Sequence, residues 1–138
     1  LYGERCVSRR VGQIFIENTI NDQEIKIGGD GEEKLDFTYI KDLCDGVQLA
    51  IAKKEAINEV FNLTYGNAKT INNLRDILID YFPKAKITYE KRDKLMPKRG
   101  TLSINKAKNL LGYSPTFPIE KAYPEYIKWY KEFLQNKI

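Results

Sequence analysis

The spacing of apolar residues changes several times along the chain, and each change predicts an element. Val11, Ile14, Phe15 and Ile20 recur at helical intervals and predict an amphipathic helix from about Ser8 to Ile20. A short strand is expected over Glu24–Ile27. After a Gly/Asp-rich turn, Leu35, Phe37 and Tyr39 alternate with Asp36 and Thr38, the two-residue period of a strand. Ile40, Leu43, Cys44, Val47 and Ile51 then return to helical spacing and predict a helix buried on that face. EVFNL, Glu59–Leu63, reads as another strand. Thr70 is a suitable N-cap for a helix whose apolar stripe is Ile71, Leu74, Leu78 and Phe82.

Lys86–Tyr89 reads as a strand, and a charged stretch, KRDKLMPKRG, follows it. A short helix after Ser103 ends in LLGYSP, where Gly112 can adopt the left-handed conformation and Pro115 blocks continuation. The last helix carries Tyr123, Tyr126, Ile127, Tyr130, Phe133 and Leu134. Pro124 is expected in its first turn, because in a helix interior proline costs about 3 kcal/mol. Strands alternating with helices indicate an α/β or α+β architecture, with no internal repeat and no low-complexity segment.

The stretch Gly28–Leu43, GGDGEEKLDFTYIKDL, raises the question of a phosphate-binding loop. Gly29-x-Gly31 lacks the third glycine of a dinucleotide fingerprint, and a strand pattern rather than a helix follows. The Gly-Lys-Ser/Thr of a P-loop is also missing. Local chemistry therefore predicts a hairpin turn at Asp30-Gly31 between EIKI and LDFTYI.

Composition narrows the chemistry further. A chain of 138 residues, 42% hydrophobic and 30% charged, suits one soluble domain with a modest core. With no histidine, Ser-His-Asp and Cys-His nucleophiles and His-based zinc sites are excluded within this polypeptide. Cys6 and Cys44 are far apart in sequence and are expected to be reduced thiols in a cytoplasmic protein. No apolar run approaches the ~20 residues that span a bilayer, and no membrane partner is expected. The opening LYGERCVSRR has no signal-peptide pattern; starting in mid-motif without Met, the chain is expected to be a fragment. A formal charge of +4 is compatible with an anionic small ligand, a nucleic acid, or neither.

The order LYGER, helix, GGDGEEKLDFTYIKDL, EVFNLTYG, INKAKNLLGYSP resembles the C-terminal part of the nucleotide-sugar epimerases and dehydratases. These are extended short-chain dehydrogenases/reductases, and the resemblance covers nearly all of residues 1–138. It implies the end of a Rossmann-type domain plus a smaller mixed α/β substrate domain. It also implies an NAD- or NADP-dependent parent enzyme, a homodimer acting on a nucleotide-diphosphate sugar. The family's cofactor glycines and catalytic Tyr-x-x-x-Lys lie upstream of the segment matched, so no cofactor is expected on this chain alone and no catalysis from it. Tyr65-Gly-Asn-Ala-Lys69 repeats the letters of that motif. It follows a strand pattern and has Gly66 and Asn67 between the two residues, where the chemistry wants both side chains on one helix face, so it reads as a loop coincidence.

The resemblance also nominates binding residues. Asn62 in EVFNLTYG takes the place of an asparagine that touches the substrate; otherwise it closes a strand. Arg10, at the start of the first helix, corresponds to a basic residue that reaches the substrate phosphates, aided by the helix dipole. Tyr2 and Arg5 match a Tyr-Gly-Pro-Arg segment bordering the sugar pocket, with Glu4 in place of proline. Arg92 and Arg99 stand where the family has an arginine-bearing loop that closes over the diphosphate; the register does not choose between them. Leu35 departs from the family, which has arginine at this step of the GDG-x-x-x-R-D-F pattern. Lys34 is no simple substitute, because strand neighbours point to opposite faces.

Two other readings compete. Five basic residues among the nine from Lys91 to Arg99 are compatible with a small nucleic-acid-binding module, but they are not interleaved with aromatics, and no nucleic-acid partner is expected. A non-catalytic truncated protein is the other.

Overall fold

A computed structural model describes residues 1–135. In chain order the elements are α1 (Val11–Ile20), β1 (Ile25–Gly28), β2 (Lys34–Leu35) and α2 (Ile40–Ala52). A 3₁₀ turn over Lys54–Ala56 precedes β3 (Lys69–Thr70), α3 (Ile71–Tyr81), β4 (Ile87–Glu90), α4 (Asn105–Leu111) and α5 (Ile119–Gln135). The mixed α/β architecture agrees with the alternation of periods in the sequence.

The strands form two small pairs. β1 runs parallel to β4 with Ile25 opposite Ile87 and Ile27 opposite Tyr89, while β2 is antiparallel to β3. The expected hairpin between β1 and the segment after the glycines is therefore corrected: the two strands do not pair with each other. The backbone of the turn is committed elsewhere. Gly31 and Glu33 carbonyls accept from the Asn72 and Ile71 N–H groups, which docks the turn on the start of α3.

The main core gathers Phe15 and Ile16 of α1, Ile25 and Ile27 of β1, Leu74 and Leu78 of α3, and the tyrosine face of α5. Burying such large side chains is the dominant favourable term, at roughly 1.5–3 kcal/mol each. Tyr2 and Tyr39 join this core through a parallel bridge between their backbones and tilted rings 5.5 Å apart. A second cluster of Ile104, Ala107, Leu111 and Tyr113 sits between α4 and α2.

Helix ends follow local chemistry. Thr70 accepts from the Asn73 N–H while the Asn73 side chain accepts from the Thr70 N–H, a reciprocal cap. Gly112 ends α4 at φ 68°, and Tyr113 N–H returns to the Ala107 carbonyl.

Four further expectations change. EVFNL forms no strand among the described residues; Phe61 and Leu63 pack on the second cluster without a ladder partner. Beyond Leu35 the alternation of exposure stops, because Phe37, Thr38 and Tyr39 are all buried where this segment threads the core. Pro124 is the sixth residue of α5 rather than in its first turn. The buried face of α2 is also different. Val47 and Ile51 are exposed, and Asp42 and Gly46 are buried. Asp42 is drawn in because its two carboxylate oxygens accept from the Thr116 and Phe117 N–H groups at 2.7 and 3.1 Å. Gly46 is drawn in because a Cβ there would lie 2.9 Å from Leu63 and 3.0 Å from Tyr113.

Candidate functional site

A cavity of about 1040 Å³ opens where α1, the β1–β2 turn and the 91–102 segment meet. Its floor is apolar, made by Val11, Phe15, Ile27, Leu35, Phe37 and Ile71. Its charged lining is mixed with a cationic excess: Arg9, Arg10, Lys26, Lys91, Arg92, Lys98 and Arg99 stand against Glu33, Asp36, Glu90 and Asp93. A smaller cavity of about 410 Å³ adjoins it and shares Gly28, Glu33, Arg92, Lys98 and Arg99. A hollow with an apolar part and an excess of cations fits a ligand with a ring system and an anionic group.

The rim cations differ in how far they are committed. Arg9 is held by Glu17 at 2.8 Å, whereas Arg10 has no carboxylate partner among the described residues. Arg10 precedes α1 directly and its carbonyl accepts the Ile14 N–H. Arg92 and Arg99, which the sequence leaves as alternatives, come together on one carboxylate. Arg92 Nη2 is 3.8 Å from Glu33 Oε2, and Arg99 Nε is 4.0 Å from Glu33 Oε1. Arg92 also donates to the Pro97 carbonyl at 3.2 Å, which bends the basic segment back on itself.

The remaining nominated residues are Tyr2, Arg5 and Asn62. Tyr2 lines the large cavity but is 5% exposed and packs edge-on against Phe37 and Tyr123. Burial holds its phenol far above the usual range, so it is neutral, and its hydroxyl has no hydrogen-bond partner. Arg5 and Asn62 line neither cavity. Arg5 is exposed at φ 61°, and Asn62 donates to the Ser103 carbonyl at 3.1 Å.

Leu35 lines the cavity, so the position where the resemblance leads one to expect a cation is apolar here. Asp36 beside it was not singled out by the sequence. Its two oxygens accept from the Gly66 and Leu102 N–H groups at 3.1 and 3.2 Å, which ties the floor to two distant loops. The Asp-Phe step of the GDG-x-x-x-R-D-F pattern that the resemblance implies was the signal available for it. Tyr65 and Lys69 share no helix: Lys69 lies in β3 and pairs with Glu120 at 2.7 Å.

The glycine turn does not fit a dinucleotide. Gly31 stands at φ 78° with Asn72 so close that a Cβ would meet its Oδ1 at 2.1 Å. Gly29, at φ 82°, faces the Arg92 stem, where a Cβ would lie 3.3 Å away. The space the glycines free is thus filled by protein, and β2 rather than a helix follows. At Gly29 and Gly31 this turn therefore leaves no open backbone surface for a pyrophosphate to approach.

The model of the NAD dependent epimerase/dehydratase family matches residues 1–64. A UDP-glucuronate 4-epimerase of Thermodesulfobacterium geofontis is 35% identical over 123 residues, which is 88% of this chain and 38% of that protein. A dTDP-glucose 4,6-dehydratase of Actinoplanes sp. is 26% identical over 132 residues, 94% of this chain and 41% of that protein. The solved structure of UDP-glucuronic acid 4-epimerase from Bacillus cereus, in complex with UDP-glucuronic acid and NAD, superposes with a TM-score of 0.86 at 29% identity. That match covers 96% of this chain and 43% of the other. The chain thus spans about two fifths of the length of the proteins it matches.

Proposed function

Because the chain belongs to the NAD dependent epimerase/dehydratase family, we propose that it is the substrate-binding, C-terminal part of a nucleotide-sugar epimerase or dehydratase. Residues 1–138 then act as one unit that grips the nucleotide and diphosphate. The observation that carries this reading is the convergence of Arg10, Arg92 and Arg99 on one cavity with an apolar floor. Guanidinium groups suit diphosphate oxygens because their planar fork donates two parallel charge-assisted hydrogen bonds. The floor of Val11, Phe15 and Phe37 takes the less polar part of the ligand.

In this family NAD supplies reversible hydride transfer to and from the sugar. None of that chemistry is assigned to the residues described here, since the glycine turn does not fit the cofactor and Lys69 is engaged by Glu120. The chain by itself is expected to bind nucleotide sugar without turning it over.

Calorimetric titration of the chain with UDP-glucose tests the binding. Arg10→Ala, Arg92→Ala and Arg99→Ala should each weaken it about ten- to a hundredfold, the effect of losing a charge-assisted hydrogen bond of ~1.5–3 kcal/mol. Three variants that all stay within twofold of the parent would sink the assignment.

A further inference from the structure

Glu33 lies on the wall shared by the two cavities, two residues before Leu35. Its carbonyl accepts the Ile71 N–H at 3.1 Å, so its backbone is pinned to the start of α3. Its side chain is 17% exposed, and Oε1 is buried without a hydrogen-bond partner. A buried acceptor with no donor is unfavourable, and a buried carboxylate more so unless charges face it. Here the facing charges are Arg92 and Arg99, at 3.8 and 4.0 Å, too far for hydrogen bonds and close enough for Coulomb attraction. The guanidinium N–H groups are therefore held near the cavity without being used up by the carboxylate.

We propose that Glu33 is a built-in counter-ion that lowers ligand affinity: it faces Arg92 and Arg99 while no ligand is bound, and its own charge opposes that of the ligand's diphosphate. The inference rests on the proposed reading of this cavity as the diphosphate site. Leu35 sharpens it. With an apolar residue at 35 and a carboxylate at 33, β2 and its approach offer the anion no attraction from these two side chains. Attraction then comes from Arg10 and the 91–99 segment, and Glu33 subtracts from it.

Glu33→Gln keeps the shape and removes the charge. It should tighten UDP-glucose binding by the 138-residue chain about tenfold, as expected for deleting a like charge near the anion. Glu24→Gln, an exposed carboxylate outside both cavities, should change it less than twofold. If Arg92→Ala and Arg99→Ala weaken binding while Glu33→Gln leaves it unchanged or weaker, this inference is overturned and the diphosphate reading stands. If no variant alters binding, or the chain binds no UDP-glucose, both fail together. Should Glu33→Gln not fold, carboxyl ¹³C resonances of the unaltered chain decide: the Glu33 signal must move as UDP-glucose is added, and a fixed signal beside shifting arginine resonances overturns the proposal.

Discussion

Single side chains decide the character of the cavity. Leu35 is the clearest case, because its side chain meets the floor where a cation would meet the ligand. Replacing it by arginine should add a guanidinium to the cavity that Arg10 also lines and tighten UDP-glucose binding about tenfold, one charge-assisted hydrogen bond's worth. Equilibrium dialysis of Leu35→Arg against the parent is the check, and unchanged affinity would mean that the ligand does not reach β2. Arg92 and Arg99 teach a related lesson. Sequence register offers them as alternatives, while the fold uses both, since the bend at Pro97 returns Arg99 to the carboxylate that Arg92 already faces.

Among the elements, α2 shows how one polar residue can override a hydrophobic stripe. Its apolar positions Val47 and Ile51 stay exposed because Asp42, 1% exposed, is bound to the Thr116 and Phe117 N–H groups ahead of α5. A carboxylate accepting two backbone N–H bonds fixes the loop between α4 and α5, and with it the tyrosine face that closes the main core. Asp42→Ala leaves the part-buried Thr116 and Phe117 N–H groups without their carboxylate and should cost about 1–3 kcal/mol in urea unfolding. A loss below 0.5 kcal/mol would show that the loop finds other partners. Binding should suffer only through lost stability, since Asp42 lines neither cavity.

For the whole molecule, the tyrosine content has a consequence for pH. Burial raises the phenols of Tyr2, Tyr39, Tyr123 and Tyr126 far above 10 and pushes Tyr113 up to about 12. A raised folded-state value means the neutral form is favoured by folding. That stabilisation is fully present below pH 10, where the unfolded chain also keeps its protons, and is lost as pH rises beyond it. Each such phenol removes about 1.4 kcal/mol of stability per pH unit above 10. Urea midpoints should therefore hold steady from pH 7 to 9 and fall steeply between pH 10 and 11; a flat profile to pH 11 would contradict the burial. At the same scale, the chain is expected to bind NAD weakly or not at all in calorimetry at millimolar cofactor, and a micromolar dissociation constant would overturn the reading of the glycine turn.

What the sequence determined by itself is what depends on neighbours a few residues away. The presence of α1 (though not its buried face, which takes Ile16 with Phe15), the period of α3, the Thr70 cap and the Gly112 stop come from hydrogen bonds and side-chain spacings within a turn or two, so they are legible in the residues. The family, likewise, was legible in the order of short motifs. What only the tertiary structure decided involves segments remote in the chain. β1 takes β4 rather than its sequence neighbour, EVFNL remains without a ladder partner among the described residues, and α2 turns Asp42 inward. The candidate site follows the same division. Arginines at 10, 92 and 99 could be nominated from motifs, but Glu33 as their meeting point could not. A local pattern fixes which face of a segment is apolar; it carries no information on which remote backbone donor, strand edge or counter-ion will arrive to cover it.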